Sequence, residues 1–408
     1  MRILFTTRGS AGHLLPLTPF AHACRRAGHE VLVAAQIQRR DNVERTGLPL
    51  APLPDPPPEE WMALMGAFGE LGLDEANAGM VRDFFAGIDV RAGLDTMRTI
   101  ALDWRPDVIV RETFEYTGAL VAELYDIPLA RVGLGLEWTE EGAIELAAPA
   151  IDRARGGLGL PADPAGRRLR SDPYLTMVPA QLEHPVMPGS GTALRFAQPA
   201  TAAADVAAPA PLPDWWPGND DPLVYLTFGS VAAANHLPYF PALYRAAIDA
   251  LAPLPVRVLL TIGDERDHAE LGPLPANVHV ERWIAHDTVV EHAAVVVGHG
   301  GYGTTMGTLR EGVPLVVLPL FSLDQWANAA AVAAAGAGVA LDAERATRNV
   351  LGLPSAATVA QLGPAVRRVL ADLSFRDGAL RIADAMAALP PVDAAVDTLA
   401  AISRLTRV

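Results

Sequence analysis

The sequence predicts an α/β chain of two successive domains, each built around a parallel sheet, and three observations carry that prediction. Short β-rich runs alternate with longer Ala, Leu and Arg segments of helical period, which is the pattern of βαβ units. The length of 408 residues is too great for one ordinary domain and sufficient for two that each bury a core. The alternation lapses in an Ala- and Pro-rich stretch from Gln198 to Gly218 and restarts at Leu223, so the second half repeats the architecture of the first. No short-period repeat is visible, which predicts two similar folds rather than an array.

Taken in order, Ile3–Thr7 reads as the first strand. The apolar run between Arg2 and Arg8 is too short for a signal-peptide core or a membrane span. Gly9-Ser10-Ala11-Gly12-His13 then leads into an Ala- and Leu-rich helix that ends near Gly28, before the strand Glu30–Ala34. Prolines from Pro52 to Pro58 remove amide donors that a helix or a central strand needs, and predict a loop over a cleft. The turn Arg105-Pro106-Asp107 introduces the strand Val108–Val110, and the next helix stops at Asp126-Ile127-Pro128. The expected linker is 206–218, closing in Pro213-Asp214-Trp215-Trp216-Pro217-Gly218. Beyond it, Leu223–Phe228, Val256–Ile262, Val278–Glu281, Val295–Gly298 and Leu315–Leu318 read as buried strands. The expected division is therefore 1–205, linker 206–218, 219–388, and a terminal segment 389–408 whose Ala394–Leu405 has the pattern of an amphipathic helix.

Half of the residues are hydrophobic and 19% are charged, the profile of a globular enzyme rather than a disordered chain. The net charge of −15 disfavours a general nucleic-acid partner, though it permits a local phosphate site. Cys24 is the single cysteine, so neither an intramolecular disulfide nor a cysteine-built zinc site can form, and a reducing, cytoplasmic location is expected. No lysine is present, so every basic side chain is arginine or histidine.

The segment Val295–Thr305 runs from an apolar strand into a glycine cluster, His299-Gly300-Gly301-Tyr302-Gly303-Thr304, and then a helix. Glycines let backbone approach a ligand closely, and a helix N-terminus presents unpaired N–H groups to an anion. His299 and Thr304 add side-chain donors at the carboxyl end of a strand, where open α/β sheets bind ligands. An ordinary strand-to-helix turn would explain the glycines but not the histidine.

The chain resembles the nucleotide-sugar-dependent glycosyltransferases of the GT-B fold, especially bacterial enzymes that glycosylate antibiotics and other natural products. The likeness spans nearly the whole chain and rests on Gly9–His13, Arg105–Val110, Tyr225–Ser230, Asn277–Trp283, His299–Thr304 and the pair Asp324-Gln325. It implies two Rossmann-like domains facing across a cleft, the first binding acceptor, the second binding donor, with the terminal helix crossing back to the first. It further implies that His299 and the amides of Gly301, Gly303 and Thr304 bind the diphosphate, and that Ser230 donates to the second phosphate. Trp283 would stack on the base, where the alternative is a core tryptophan. Asp324 and Gln325 would meet sugar hydroxyls, where the alternative for Asp324 is a helix N-cap.

Transfer needs a base for the acceptor's proton, and imidazole titrates near neutral pH. His13 is the candidate, and the resemblance implies that role with a partner carboxylate after Val108–Val110. By position that is Glu112, where many relatives have Asp; Glu115 is the second candidate. Inversion by direct displacement is implied, without a covalent intermediate. No Asp-x-Asp pair suited to a divalent ion on a nucleotide sugar is present, so no metal and no cofactor are expected, the nucleotide sugar being a co-substrate. Relatives that use uridine donors often carry Glu eight residues after the cradle histidine; here Gly307 occupies that position, which favours a dTDP-sugar over a UDP-sugar. Ala285-His286 also stands where Pro-Gln is common. Pro52–Pro58, Trp61–Phe85 and Leu134–Ile144 are expected to face a small apolar acceptor, with core packing as the alternative. A homodimer is compatible with the sequence. A nucleotide-sugar epimerase of the same fold, an NAD-dependent oxidoreductase and a non-catalytic sugar-nucleotide-binding partner remain as competing readings; Gly9-Ser10-Ala11-Gly12 does not match Gly-x-Gly-x-x-Gly.

Overall fold

The computed structural model describes residues 1–185, 193–199, 212–233 and 237–405. Residues 206–211 of the expected linker lie outside them. Two separate parallel sheets form. The first contains β1 (Arg2–Thr6), β2 (Glu30–Gln36), β3 (Leu50–Leu53), β4 (Val108–Glu112), β5 (Leu129–Val132), β6 (Tyr174–Thr176) and β7 (Leu194–Arg195), in the order β3-β2-β1-β4-β5-β6-β7. The second contains β8 (Leu223–Thr227), β9 (Arg257–Thr261), β10 (Val278–Glu281), β11 (Val295–Gly298), β12 (Leu315–Val317) and β13 (Gly338–Ala340), in the order β10-β9-β8-β11-β12-β13.

The central strands are apolar on both faces because helices cover both faces. Ile3 and Phe5 of β1 pack with Leu14, Leu17 and Phe20 on one side, while Leu4 packs with Ala34, Met97 and Ile109 on the other. Leu4 stands in register with Leu32 and Ile109 in the flanking strands. The second sheet repeats this: Val224 and Leu226 face one core and Tyr225 the opposite one.

In both sheets the chain reverses its direction of winding after the third strand, so crevices open between β1 and β4 and between β8 and β11 at the carboxyl ends. The halves share an apolar cluster in which Leu136, Val178 and Leu182 meet Tyr302, Met306 and Leu309. After residue 390 the chain returns to the first half. Ala197 pairs with Pro391, and Val392, Ala395 and Leu399 enter the core around β1, the last two from the helix Ala395–Leu405.

One local expectation is corrected. The Pro52–Pro58 stretch is not one loop: Pro52 lies in β3, an edge strand that tolerates a missing donor, and Pro58 opens the helix Pro58–Phe68 where its N–H would be unpaired anyway. The region before Asp89 contains a π-helix, Met80–Ile88, between the α-helices Leu73–Gly79 and Asp89–Trp104. Helical periodicity alone cannot distinguish that widened turn. No helix among the described residues is long and apolar enough to cross a membrane.

Candidate functional site

The first crevice is built by the turn after β1 and the end of β4. Gly9 adopts φ +80°, and a Cβ there would lie 2.7 Å from Arg39 Cβ, so the turn needs glycine. The turn delivers His13 on a one-turn helix, Ala11–Leu14. His13 Nδ1 lies 2.8 Å from Glu112 Oε1, and Glu112 is fully buried as the last residue of β4. Glu112 Oε2 accepts from the Phe114 amide at 2.5 Å, which fixes the carboxylate. A carboxylate at Nδ1 holds the ring proton there and leaves Nε2 as the nitrogen with a free lone pair. The imidazole is one-fifth exposed, so it remains accessible from the cleft.

Glu115 is excluded as the partner of His13. Its carboxylate bonds Thr6 Oγ1, the Thr117 hydroxyl and the amides of Thr117 and Gly118, capping the helix Thr117–Leu124. Burial nevertheless raises its pKa.

Aromatic rings extend from His13 in a chain that sequence reading had placed only as a segment. Phe85 and Phe114 meet the imidazole edgewise at centroid distances of 5.8 and 5.9 Å, and Phe84 and Trp61 continue the row. Phe84 and Phe85 come from the π-helix. Arg8 lies 4.6 and 4.2 Å from their ring centroids and pairs with Asp89; burial pushes its guanidinium pKa down to about 9. A polar residue clamped under two rings had no signature in the sequence. Leu134–Ile144, in contrast, belongs largely to the core: Leu134, Leu136 and Ile144 are buried, and Glu140 bonds Thr113. The packing alternative holds there.

The second crevice is the glycine cluster after β11. His299 packs between Gly229 and Gly301, where added Cβ atoms would stand 2.7 Å from its Cε1 and 2.5 Å from its Nε2. The two glycines are thus needed to seat the ring, a reason the sequence did not disclose. Burial lowers the His299 pKa to about 4, and Nδ1 has no hydrogen-bond partner among the described residues. Gly301 caps the helix Tyr302–Arg310 without any side-chain cap, so side chains do not claim the first-turn amides, including those of Gly303 and Thr304. Gly303 and Ser230 are exposed and Thr304 half-buried. Asn328, which sequence reading missed, donates to Gly300 O at 2.8 Å and holds the loop.

Asp324 is not the N-cap. That position belongs to Ser322, and Asp324 lies in the first turn of the helix Leu323–Ala334. Burial raises its pKa, while its bond from Ser322 lowers it. Gln325 Oε1 accepts from the amides of Leu320 and Phe321 at 2.8 and 3.1 Å, which positions Phe321 over His299 at 6.2 Å. Its carbonyl oxygen is committed to the turn. Asn77 bonds Phe321 O and the Leu323 amide from the first half at 3.0 and 3.2 Å. Trp283 is 69% exposed, which removes the core-tryptophan alternative. A cavity of about 250 Å³ lies elsewhere, beside Asp126–Leu129 at the opposite end of β5 from these crevices, so it is not part of this site.

Residues 22–219 match the family described as Erythromycin biosynthesis protein CIII-like, N-terminal domain, and residues 245–402 match its C-terminal domain. The L-demethylnoviosyl transferase of Streptomyces niveus is 32% identical over 84% of this chain and 85% of its own. The TDP-daunosamine transferase DnrS of Streptomyces peucetius is 29% identical over 98% of this chain and 96% of its own. Among solved structures, spinosyn rhamnosyltransferase SpnG complexed with thymidine diphosphate superposes with a TM-score of 0.80 at 23% identity, over 98% of this chain and 100% of that one. That likeness establishes the fold, GT-B.

Proposed function

This chain belongs to the Erythromycin biosynthesis protein CIII-like family and is a glycosyltransferase, and from that premise we propose that it moves a deoxysugar from dTDP to a small apolar natural-product acceptor, with inversion and with His13 as general base. The observation that carries the reading is the pairing of two crevices: a His13–Glu112 dyad at one topological switch point and an anion cradle at the other. The relative named as a TDP-daunosamine transferase supports the nucleotide assignment.

In this reading His13 Nε2 takes the acceptor hydroxyl proton as its oxygen attacks the anomeric carbon. Glu112 orients the ring and stabilises the imidazolium. The bond from that carbon to the phosphate oxygen breaks in the same displacement, and dTDP leaves with the electron pair. His299, Ser230 and the amides of Gly301, Gly303 and Thr304 stabilise the developing charge without a metal, each charged hydrogen bond contributing roughly 1.5–3 kcal/mol. Trp283 stacks on the base, and Asp324 with the Nε2 end of Gln325 meets sugar hydroxyls. Trp61, Phe85 and Phe114 supply apolar surface to the acceptor, with the buried Phe84 packed against Trp61 and Phe85. The reading assigns residues 1–205 to the acceptor, 219–388 to the donor, and a cytoplasmic location.

Calorimetric titration of dTDP, UDP and NAD into wild type and His299→Ala, with no added metal, tests the donor site. Binding of dTDP that the variant loses supports the reading. Absence of diphosphate binding, or NAD binding in its place, refutes it. Turnover of dTDP-sugars with and without phenolic or macrolide acceptors then separates transfer from acceptor-independent epimerisation.

A further inference from the structure

Asn77 lies on the helix Leu73–Gly79 of the first half and reaches into the second. Both protons of its amide nitrogen are spent, on Leu73 O at 2.8 Å and Phe321 O at 3.0 Å, while its oxygen accepts from the Leu323 amide at 3.2 Å. A carboxamide can give and take in this way, whereas an ionised aspartate has no donor and leucine has neither function. Leu323 opens its helix, so its N–H has no intrahelical acceptor, and Asn77 supplies one from the opposite half.

The segment that Asn77 grips is the turn before Asp324 and Gln325, in which Phe321 stacks on His299. Tyr239 and Arg348 hold the Leu320 carbonyl of this turn from within the second half. In the other direction the helix runs unbroken from Leu73–Gly79 into Met80–Ile88, because Met80 at the junction keeps helical angles, φ −58° and ψ −43°. Phe85 follows on the same rod, about 12 Å along the axis from Asn77, with its ring against His13. One helical rod thus bears on the aromatic ring beside each crevice's histidine.

We propose that Asn77 is a positioning residue that sets the turn at Phe321 and the aromatic wall at Phe85 together, so that filling the second crevice orders the first. The response to ligand rests on the donor site proposed above; the positioning of the turn does not. Coupling between two sites is reciprocal, so a diphosphate that steadies Phe321 over His299 steadies Phe85 against His13, and an acceptor held on Phe85 tightens the diphosphate.

The test is hydrogen exchange read by mass spectrometry, with and without dTDP, on wild type, Asn77→Ala, the isosteric Asn77→Asp, and Asp74→Ala, each with its Tm and its calorimetric Kd for dTDP. Asp74→Ala breaks the exposed ion pair with Arg345 between the same helix and the second half, and leaves the turn untouched. Without ligand, both Asn77 variants are expected to exchange about tenfold faster than wild type across 320–325, the loss expected for two net hydrogen bonds, with β5 unchanged. On adding dTDP, wild type and Asp74→Ala are expected to gain protection across 80–88, and the Asn77 variants to bind dTDP without that gain. Unchanged exchange across 320–325 in both Asn77 variants overturns the positioning role. Equal dTDP-induced protection of 80–88 in wild type and the Asn77 variants, or its loss in Asp74→Ala as well, overturns the coupling. A wild type that binds no dTDP overturns the donor site itself, and the ligand-free comparison then still decides the role of Asn77.

Discussion

Gly301→Ala isolates how the cradle seats its histidine. Gly301 has φ −63° and ψ 146°, a conformation open to alanine, so the substitution introduces no backbone strain. Only the new methyl matters. It would stand 2.5 Å from His299 Nε2 where ordinary contact begins at 3.4 Å, a shortfall of about 0.9 Å. The ring has little freedom to retreat, because it already lies against Gly229 on one side and stacks on Phe321 at a 27° interplanar angle. Overpacking of this kind costs about 1–3 kcal/mol, or a fall in Tm of about 2–12 °C for a domain of this size. Displacing the ring also forfeits a charged hydrogen bond to the diphosphate, worth about 1.5–3 kcal/mol, so the Kd for dTDP should rise about 10- to 150-fold. Differential scanning fluorimetry and calorimetry read the two effects. Gly303→Ala is the stability control: nothing lies within 4 Å of its Cβ, and its Tm should match or exceed wild type. In a His299→Ala background the stability penalty of Gly301→Ala should vanish. A Gly301→Ala protein with wild-type Tm and wild-type dTDP affinity refutes the packing argument.

His13→Ala should lower kcat by about 10²–10⁴ with donor affinity unchanged, as measured by steady-state kinetics beside calorimetry; equal losses of donor binding would remove its assigned role. Glu112→Gln should lower kcat without a matching fall in Tm, whereas Glu115→Ala should lose about 1–2 kcal/mol of stability through its cap and retain kcat per folded molecule; the reverse pattern would exchange the two carboxylates. Trp283→Ala should leave Tm within about 1 °C because the ring is exposed, yet weaken dTDP by about 1–3 kcal/mol; unchanged affinity would place the base elsewhere. Acid titration tests the burial of His299. Its folded pKa lies near 4 against 6.5 for the free side chain, so between those values the unfolded chain binds a proton that the folded chain refuses, and stability falls as pH drops through that window. His299→Asn should remove up to about 3 kcal/mol of this acid sensitivity, measured by denaturant unfolding at pH 7 and 4.5; an unchanged pH dependence would contradict a ring kept neutral by burial.

The α/β class was legible because periods of two and 3.6 residues are written locally. Ile3, Leu4 and Phe5 had to be a strand buried on both faces, and Val295–Gly298 running into glycines had to be a strand-to-helix turn. Candidate residues at these turns were legible for the same reason. Phe84 and Phe85 were visible as aromatics, but not the π-helix that carries them, since one widened turn barely alters the hydrophobic period. Leu134–Ile144 has the same composition as an acceptor wall and proved to be core. Which apolar residue faces a cleft depends on what packs over it, and that information lies in distant segments.

By itself the sequence determined two parallel-sheet halves, a histidine after the first strand and a phosphate-type glycine turn after β11, because each is a local pattern of side-chain volume, backbone freedom and donor placement. The tertiary structure decided which carboxylate serves His13: Glu112 ends β4 with an oxygen 2.8 Å from the ring, while Glu115, three residues on, turns into a helix cap. It also decided that Gly229 and Gly301 are glycines for the sake of His299, and that Gly307 faces His286. Those are contacts between residues far apart in the chain, and no periodicity or spacing encodes the distance between them until the sheets bring the strand ends together.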